Sequence, residues 1–260
     1  MKCVICGTIK NCGKYLIKVF ENMKLIGNLF EEYRIILCVD YSTDNTFFFL
    51  DKIKKQHPEV IIHINSDPLF KERTRNLSKA RNKYLQIIRE KFMDYDYFIV
   101  MDCDNVCENL VNVNILKKHL ENKDKWDGLT FNKNTYYDIW ALSIHPYFIN
   151  CHWFHNYNKY SQYVTKLLSK CKPEEYISCL SSFNGFAIYK LSYFINSYYN
   201  DNTAENLTYI PKYFFHQNMK LMDYKIKHSI AVDCEHKIFH YHAIFKHNAR
   251  LMISPNVLFY

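Results

Sequence analysis

Residues 96–105 read Asp96-Tyr97-Phe98-Ile99-Val100-Met101-Asp102-Cys103-Asp104-Asn105, an unbroken apolar run that ends abruptly in two carboxylates. A short continuous apolar run bounded by polar residues is the signature of a strand buried on both faces. Three more such runs precede it: KCVICGT (2–8), RIILCVD (34–40) and EVIIHI (59–64). Between them lie segments with helical periodicity, at about 12–30 with Asn11 as a cap, through FFFLDKIKKQ after residue 46, and at 75–92, where Leu77, Ala80, Tyr84, Leu85 and Ile88 share a face. Strands alternating with helices predict an α/β fold with a parallel sheet covered on both sides. Ligands of such sheets bind at the carboxyl ends of the strands. Further candidate strands are GLTFN (128–132), YYDIWAL (136–142), FAIYK (186–190) and IAVDC (230–234), with a helix near 157–170, another around NVNILKKHL after residue 111, and a polar loop at 200–206. No linker, repeat or shift in composition divides the 260 residues, so one continuous domain is expected, residues 1–108 forming one half and 109–260 the other.

Composition removes several function classes. The chain has only five glycines, at 7, 13, 27, 128 and 185, so neither a Walker loop nor a G-x-G-x-x-G fingerprint can be written. Average usage is about 7%, and the scarcity accompanies abundant Lys, Asn, Ile, Tyr and Phe, a pattern of AT-biased coding. The formal net charge is +8, with Lys and Arg scattered rather than gathered in a tail, which predicts a solvated surface with one anion-binding cleft. No run of eighteen apolar residues occurs and the N-terminal segment lacks a signal-peptide core, so a soluble intracellular protein is expected. The ten cysteines are then read as reduced thiols. Zinc is the alternative, from Cys3 and Cys6 with Cys12 beyond, and from Cys151, His152 and His155, but no second C-x2-C completes a four-ligand set.

The polar residues at the strand ends carry the chemistry. Alternation in an extended chain puts Asp102 and Asp104 on one side, where two hard carboxylates can share Mn²⁺ or Mg²⁺ with a diphosphate. Ser42-Thr43-Asp44-Asn45-Thr46 follows the second strand; it can cap the next helix and aim Asp44 at a uracil or ribose. Arg75, Arg81 and Asn82 lie on the helix before the Asp-x-Asp strand, and Arg81, beside the buried Ala80, is the candidate phosphate fork.

The order Gly7-Thr8-x-Lys10-Asn11, STDNT, Ala80-Arg81-Asn82 and Asp-x-Asp-Asn resembles that of GT-A fold glycosyltransferases. Asp127-Gly128, YYDIWAL, Phe183-Asn184-Gly185 and Cys234-Glu235-His236 sharpen the resemblance toward a subgroup found in large DNA viruses and related to fungal capsule-associated glycosyltransferases. The chain departs from that pattern at Asp40-Tyr41, at Ser143 and in the Phe-Asn-Gly turn.

The resemblance implies a Rossmann-like, mostly parallel sheet flanked by helices, with a nucleotide-sugar half followed by an acceptor-side half. It also implies hexosyl or deoxyhexosyl transfer from a nucleotide-diphosphate donor, a UDP-sugar, to a hydroxyl of a glycan or glycoprotein, in host cytoplasm or virion. On it, Thr8, Asp40, Asp44, Arg81, Asp102 and Gly185 face the donor, and Asp102, Asp104 and His236 hold the metal. Glu235 is the first candidate for the base and Asp138 the second. A nucleotidyltransferase needs a basic triphosphate-gripping loop near the first strand, for which only Lys10 and Lys14 are available. A nucleic-acid or carbohydrate-binding module fits poorly with polar motifs gathered at one sheet edge.

Overall fold

The computed structural model describes residues 1–149, 157–221 and 232–260. In its first half β1 (Lys2–Ile9), α1 (Gly13–Gly27), β2 (Glu32–Val39), α2 (Thr46–Gln56), β3 (Val60–Ile64), α3 (Arg73–Lys91) and β4 (Tyr97–Asp102) alternate strictly. Then come α4 (Val113–Glu121), β5 (Gly128–Asn132), α5 (Tyr157–Ser169), β6 (Ile177–Ser178), β7 (Phe186–Lys190), α6 (Leu191–Phe194), α7 (Thr203–Tyr209), α8 (Lys212–Leu221), α9 (Glu235–His247) and β8 (Leu251–Val257). One sheet of order β3-β2-β1-β4-β7-β5-β8-β6 joins both halves. Its first four strands are parallel, as the sequence predicts. The second half is mixed: β7 runs antiparallel to β4 and β5, β8 is parallel to β5, and β6 is antiparallel to β8.

The strands are apolar throughout because both faces are covered. Val4, Cys6, Ile36, Cys38, Phe98 and Val100 pack with Tyr84, Leu85 and Ile88 of α3 and Phe239 of α9. The alternate residues Cys3, Ile5, Ile35, Leu37, Ile99 and Met101 meet Leu16, Val19, Phe20 and Met23 of α1 and Leu50 and Ile53 of α2. Each such fully buried side chain contributes about 1.5–3 kcal/mol. Cys3 and Cys6 point to opposite faces, so their spacing does not create a shared metal site. The Cys151, His152 and His155 group lies outside the described residues. No described helix is long and apolar enough to cross a membrane.

Several elements differ from the sequence reading. Asn11 is not the cap of α1: it takes φ 52°, and its Oδ1 accepts the Thr43 amide at 2.8 Å. Asp44 supplies the capping instead, accepting the Gly13 amide at 2.9 Å and the Thr46 amide at 3.0 Å. YYDIWAL is not a strand. The amides of Tyr137 and Asp138 both donate to Asn184 Oδ1 and that of Ala141 to Asp138 Oδ1, so side chains take the place of a neighbouring strand. The 200–206 stretch is only partly loop, because Asn202 caps α7 by accepting the Glu205 amide. Of IAVDC, residues 230 and 231 lie outside the described residues, Val232 makes a single bridge to Asn202, and Cys234 is the N-cap of α9.

Candidate functional site

The parallel arrangement carries the ends of β1, β2 and β4 to one edge, with Thr8 in register beside Asp102 and beside Cys38 of β2. Two of the cavities along that edge meet at the Asp102–Asp104 turn. The larger, about 360 Å³, is bordered by Thr8, Lys10, Asp40, Lys71, Arg73 and the Asp102–Asp104 turn. The smaller, about 160 Å³, is bordered by Tyr137, Asp138, Trp140, Phe183, Glu235 and His236. Arg73, Leu77, Asp102 and Asp104 belong to both, so the carboxylate pair stands at the junction.

Local structure fixes each acid. Asp104 caps the 3-10 turn Asn105–Cys107, its Oδ1 accepting the Val106 amide at 2.9 Å. The Asp102 amide donates to the Gly185 carbonyl at 2.9 Å, while its Oδ2 accepts the Tyr137 hydroxyl at 3.1 Å and its Oδ1 lies 3.6 Å from Arg81 Nη2. Burial pushes the Asp102 carboxyl up to about 6; the Asp104 charge adds to this, while Arg81 and Tyr137 oppose it. Gly185 holds φ +90°, and a Cβ there would lie 2.2 Å from Val106 Cγ1, so the turn beside Asp102 requires glycine. Asp40 is buried at the wall of the larger cavity and accepts Asn65 Nδ2 at 2.8 Å.

Arg81 is 3% exposed and borders the smaller cavity rather than the larger. Its Nη1 lies 2.5 Å from Glu235 Oε1 and also meets His236 Nε2. Burial works against the Arg81 charge, but Glu235, Tyr84, Asp102 and Tyr199 together more than offset it, so the guanidinium stays firmly protonated. Burial and the Arg81 charge push the His236 imidazole well below its usual range. Because Arg81 can only donate, neutral His236 accepts at Nε2 and carries its proton at Nδ1. His236 is not on the surface: it is buried and stacked on Phe183 with ring centroids 3.9 Å apart. Among the described residues no group of three His, Cys, Asp or Glu side chains is gathered as a metal site, and His236 Nε2 meets Arg81 Nη1. Asp138 Oδ1 accepts the Ala141 amide at 3.1 Å. Burial pushes its carboxyl up to about 7, with the Glu235 and Asp102 charges adding to the effect.

Two other basic-helix candidates lie elsewhere. Asn82 ties α3 to the Tyr199 backbone through two bonds of 2.8 Å, and Arg75 faces Glu72 and Asp201. Residues not singled out from sequence take their place: Lys71 and Arg73, at the start of α3, border the larger cavity. The Lys71-Glu72-Arg73 run that leads into that helix is the signal the sequence offers. Tyr137 was visible within YYDIWAL, but its bond to Asp102 was not.

Comparison with known proteins fits this geometry. The chain aligns over its whole length with S. aureus TarS, at 13% identity and TM-score 0.51, covering 36% of that chain. Against TarS residues 1–349 in complex with UDP-GlcNAc the identity is 12% and the TM-score 0.53, covering 58% of that chain. The chain thus spans about a third to three-fifths of those structures, and at this identity the likeness is one of fold. Among curated protein sequences none matches. The model of glycosyl transferase family 2 matches residues 5–171. That match covers more than half of the chain and includes β2, β3, β4, most of β1 and the carboxylate pair, so the chain belongs to glycosyl transferase family 2.

Proposed function

We propose that this protein is a metal-dependent glycosyltransferase that moves a hexosyl or deoxyhexosyl group from a UDP-sugar to a hydroxyl of a glycan or glycoprotein, in the cytoplasm. The observation that carries the reading is the pair of adjoining cavities that share Asp102 and Asp104. A donor and an acceptor can approach one reacting centre from opposite sides of that pair. The larger cavity has the volume of a small-molecule site, and the structure of TarS in complex with UDP-GlcNAc supports a nucleotide-sugar as its ligand.

The donor set of Asp102 and Asp104, two hard carboxylates at one strand end, fits Mn²⁺ or Mg²⁺, with diphosphate oxygens filling the remaining positions. When bound, the ion supplies neutralisation of the charge that develops on the leaving diphosphate. Thr8, Asp40 and the Asp44 turn border or support the nucleoside end, while Lys71 and Arg73 present cations to the phosphates. In the smaller cavity the acceptor hydroxyl gives its proton to Glu235 as its oxygen bonds to the anomeric carbon. The bond from that carbon to the phosphate oxygen breaks, and its electron pair leaves with UDP. Asp138 is the second candidate base, because a carboxyl raised to about 7 matches proton transfer near neutral pH.

Thermal shift with UDP, GDP and nucleic acid, each with and without Mn²⁺, tests the reading. UDP should stabilise the protein only with Mn²⁺, and Asp104→Ala should abolish the effect. Stabilisation by nucleic acid alone overturns the reading. With a donor identified by UDP release, Glu235→Gln should keep UDP binding and lose about 100- to 10,000-fold in transfer. Wild-type transfer in that variant moves the role to Asp138.

A further inference from the structure

The helix-borne arginine expected to grip the diphosphate lines the smaller cavity and not the larger. Arg81 does not border the larger cavity, whereas Lys71 and Arg73 do. It instead lies between two carboxylates of the site, Asp102 and Glu235. Nη2 lies 3.6 Å from Asp102 Oδ1 on β4, and Nη1 lies 2.5 Å from Glu235 Oε1 on α9. Its guanidinium is held between the rings of Phe183 and Tyr199, 5.1 and 5.6 Å from their centroids, and its Nη1 also meets His236 Nε2. A planar fork can serve two acceptors in one fixed geometry; a single ammonium on a flexible stem cannot.

We propose that Arg81 is the positioning residue of the transfer step: it spans from Asp102 to Glu235 and so fixes the distance between the metal-side carboxylate and the acceptor-side base. The neutral His236, stacked on Phe183, forms the wall against which the guanidinium is registered. This role rests on the glycosyltransferase reading above and replaces a phosphate-binding role for Arg81. It divides labour along α3, with Arg73 at its first residue holding the donor and Arg81, two turns on, aligning the chemistry. Near-attack geometry is sensitive to about 1 Å of misplacement, which costs on the order of 100-fold in rate.

The test compares Arg81→Lys with Arg73→Gln in release of UDP from the best UDP-sugar of a panel and in UDP–Mn²⁺ affinity by calorimetry, with a wild-type-like thermal unfolding transition as the check that each variant is folded. Arg81→Lys should lower kcat about 100-fold with donor KM within about twofold. Arg73→Gln should raise donor KM about tenfold with kcat little changed. In Arg81→Ala, millimolar methylguanidine should restore part of the lost kcat, a response that mere loss of packing does not give. Where Arg81→Ala does not fold, the kcat-against-KM split of Arg81→Lys decides alone. Wild-type kcat in Arg81→Lys, or weakened UDP affinity with kcat unchanged, overturns the proposal. If the wild-type protein shows no Mn²⁺-dependent UDP binding, the glycosyltransferase reading itself fails, an outcome distinct from either.

Discussion

Asp138 sits at the wall of the smaller cavity with its carboxyl raised from 3.8 to about 7, burial being the largest cause. The sign of its effect on stability follows from proton counting. Between about pH 4 and pH 7 the native chain holds a proton there that the unfolded chain has released. Stability from this group is therefore greatest at low pH and declines as pH rises through that window. Asp138→Asn keeps an oxygen for the Ala141 amide and removes the charge. The variant should match wild type near pH 4 and exceed it at pH 8 by on the order of 2 kcal/mol. Denaturant melts at the two pH values check this, and equal stability at both would show that Asp138 keeps an ordinary carboxyl.

At the scale of elements, Asp44 joins two helices. One oxygen accepts the first amide of α1 and the other the first amide of α2, each a donor with no partner inside its own helix. Loss of a capping acceptor costs about 1 kcal/mol, so Asp44→Ala should cost about 2 kcal/mol in urea unfolding, and Asp44→Asn less. A loss confined to UDP affinity, with unfolding unchanged, would return Asp44 to the ligand alone. Other elements show what periodicity can reveal. The runs of β1 to β4 were legible because a sheet covered on both faces demands unbroken apolar strands. YYDIWAL has the aromatic and β-branched content of a strand, yet its amides bond to Asn184 and Asp138, which no local pattern discloses. Helix α9 was missed for the opposite reason. Its buried positions include Glu235, His236, Lys237 and His240, which are tolerated inside because Arg81, Asp233, Ser181 and Tyr189 partner them. In β8, Pro255 falls where the pairing with β5 shifts register, which hides the strand from a propensity reading. The strand-end acids could be named from order alone; the partner of Arg81 could not, since it comes from a helix 154 residues away.

Across the whole molecule, strand order makes the two halves inseparable in a way that chain order does not suggest. Strand β4, which delivers Asp102, is hydrogen-bonded to β1 on one side and to β7 on the other, and β7 comes from the second half. The Asp102 amide itself donates to Gly185 just ahead of β7. A fragment of residues 1–108 would leave β4 as a long apolar edge, and would strip Phe98 and Val100 of their neighbours Tyr189 and Phe239. Such an edge pairs with other copies, so the fragment should aggregate or stay partly unfolded and should bind UDP no more tightly with Mn²⁺ than without it. The full chain should unfold in one cooperative step that UDP and Mn²⁺ shift as a unit. Hydrogen exchange locates the cause: β4 amides protected in the full chain should exchange freely in the fragment, while those of β2, flanked by β1 and β3 within the fragment, should keep more protection. A soluble monomeric fragment with metal-dependent UDP binding would show that residues 1–108 form a nucleotide-binding domain by themselves, with the second half only docked against it.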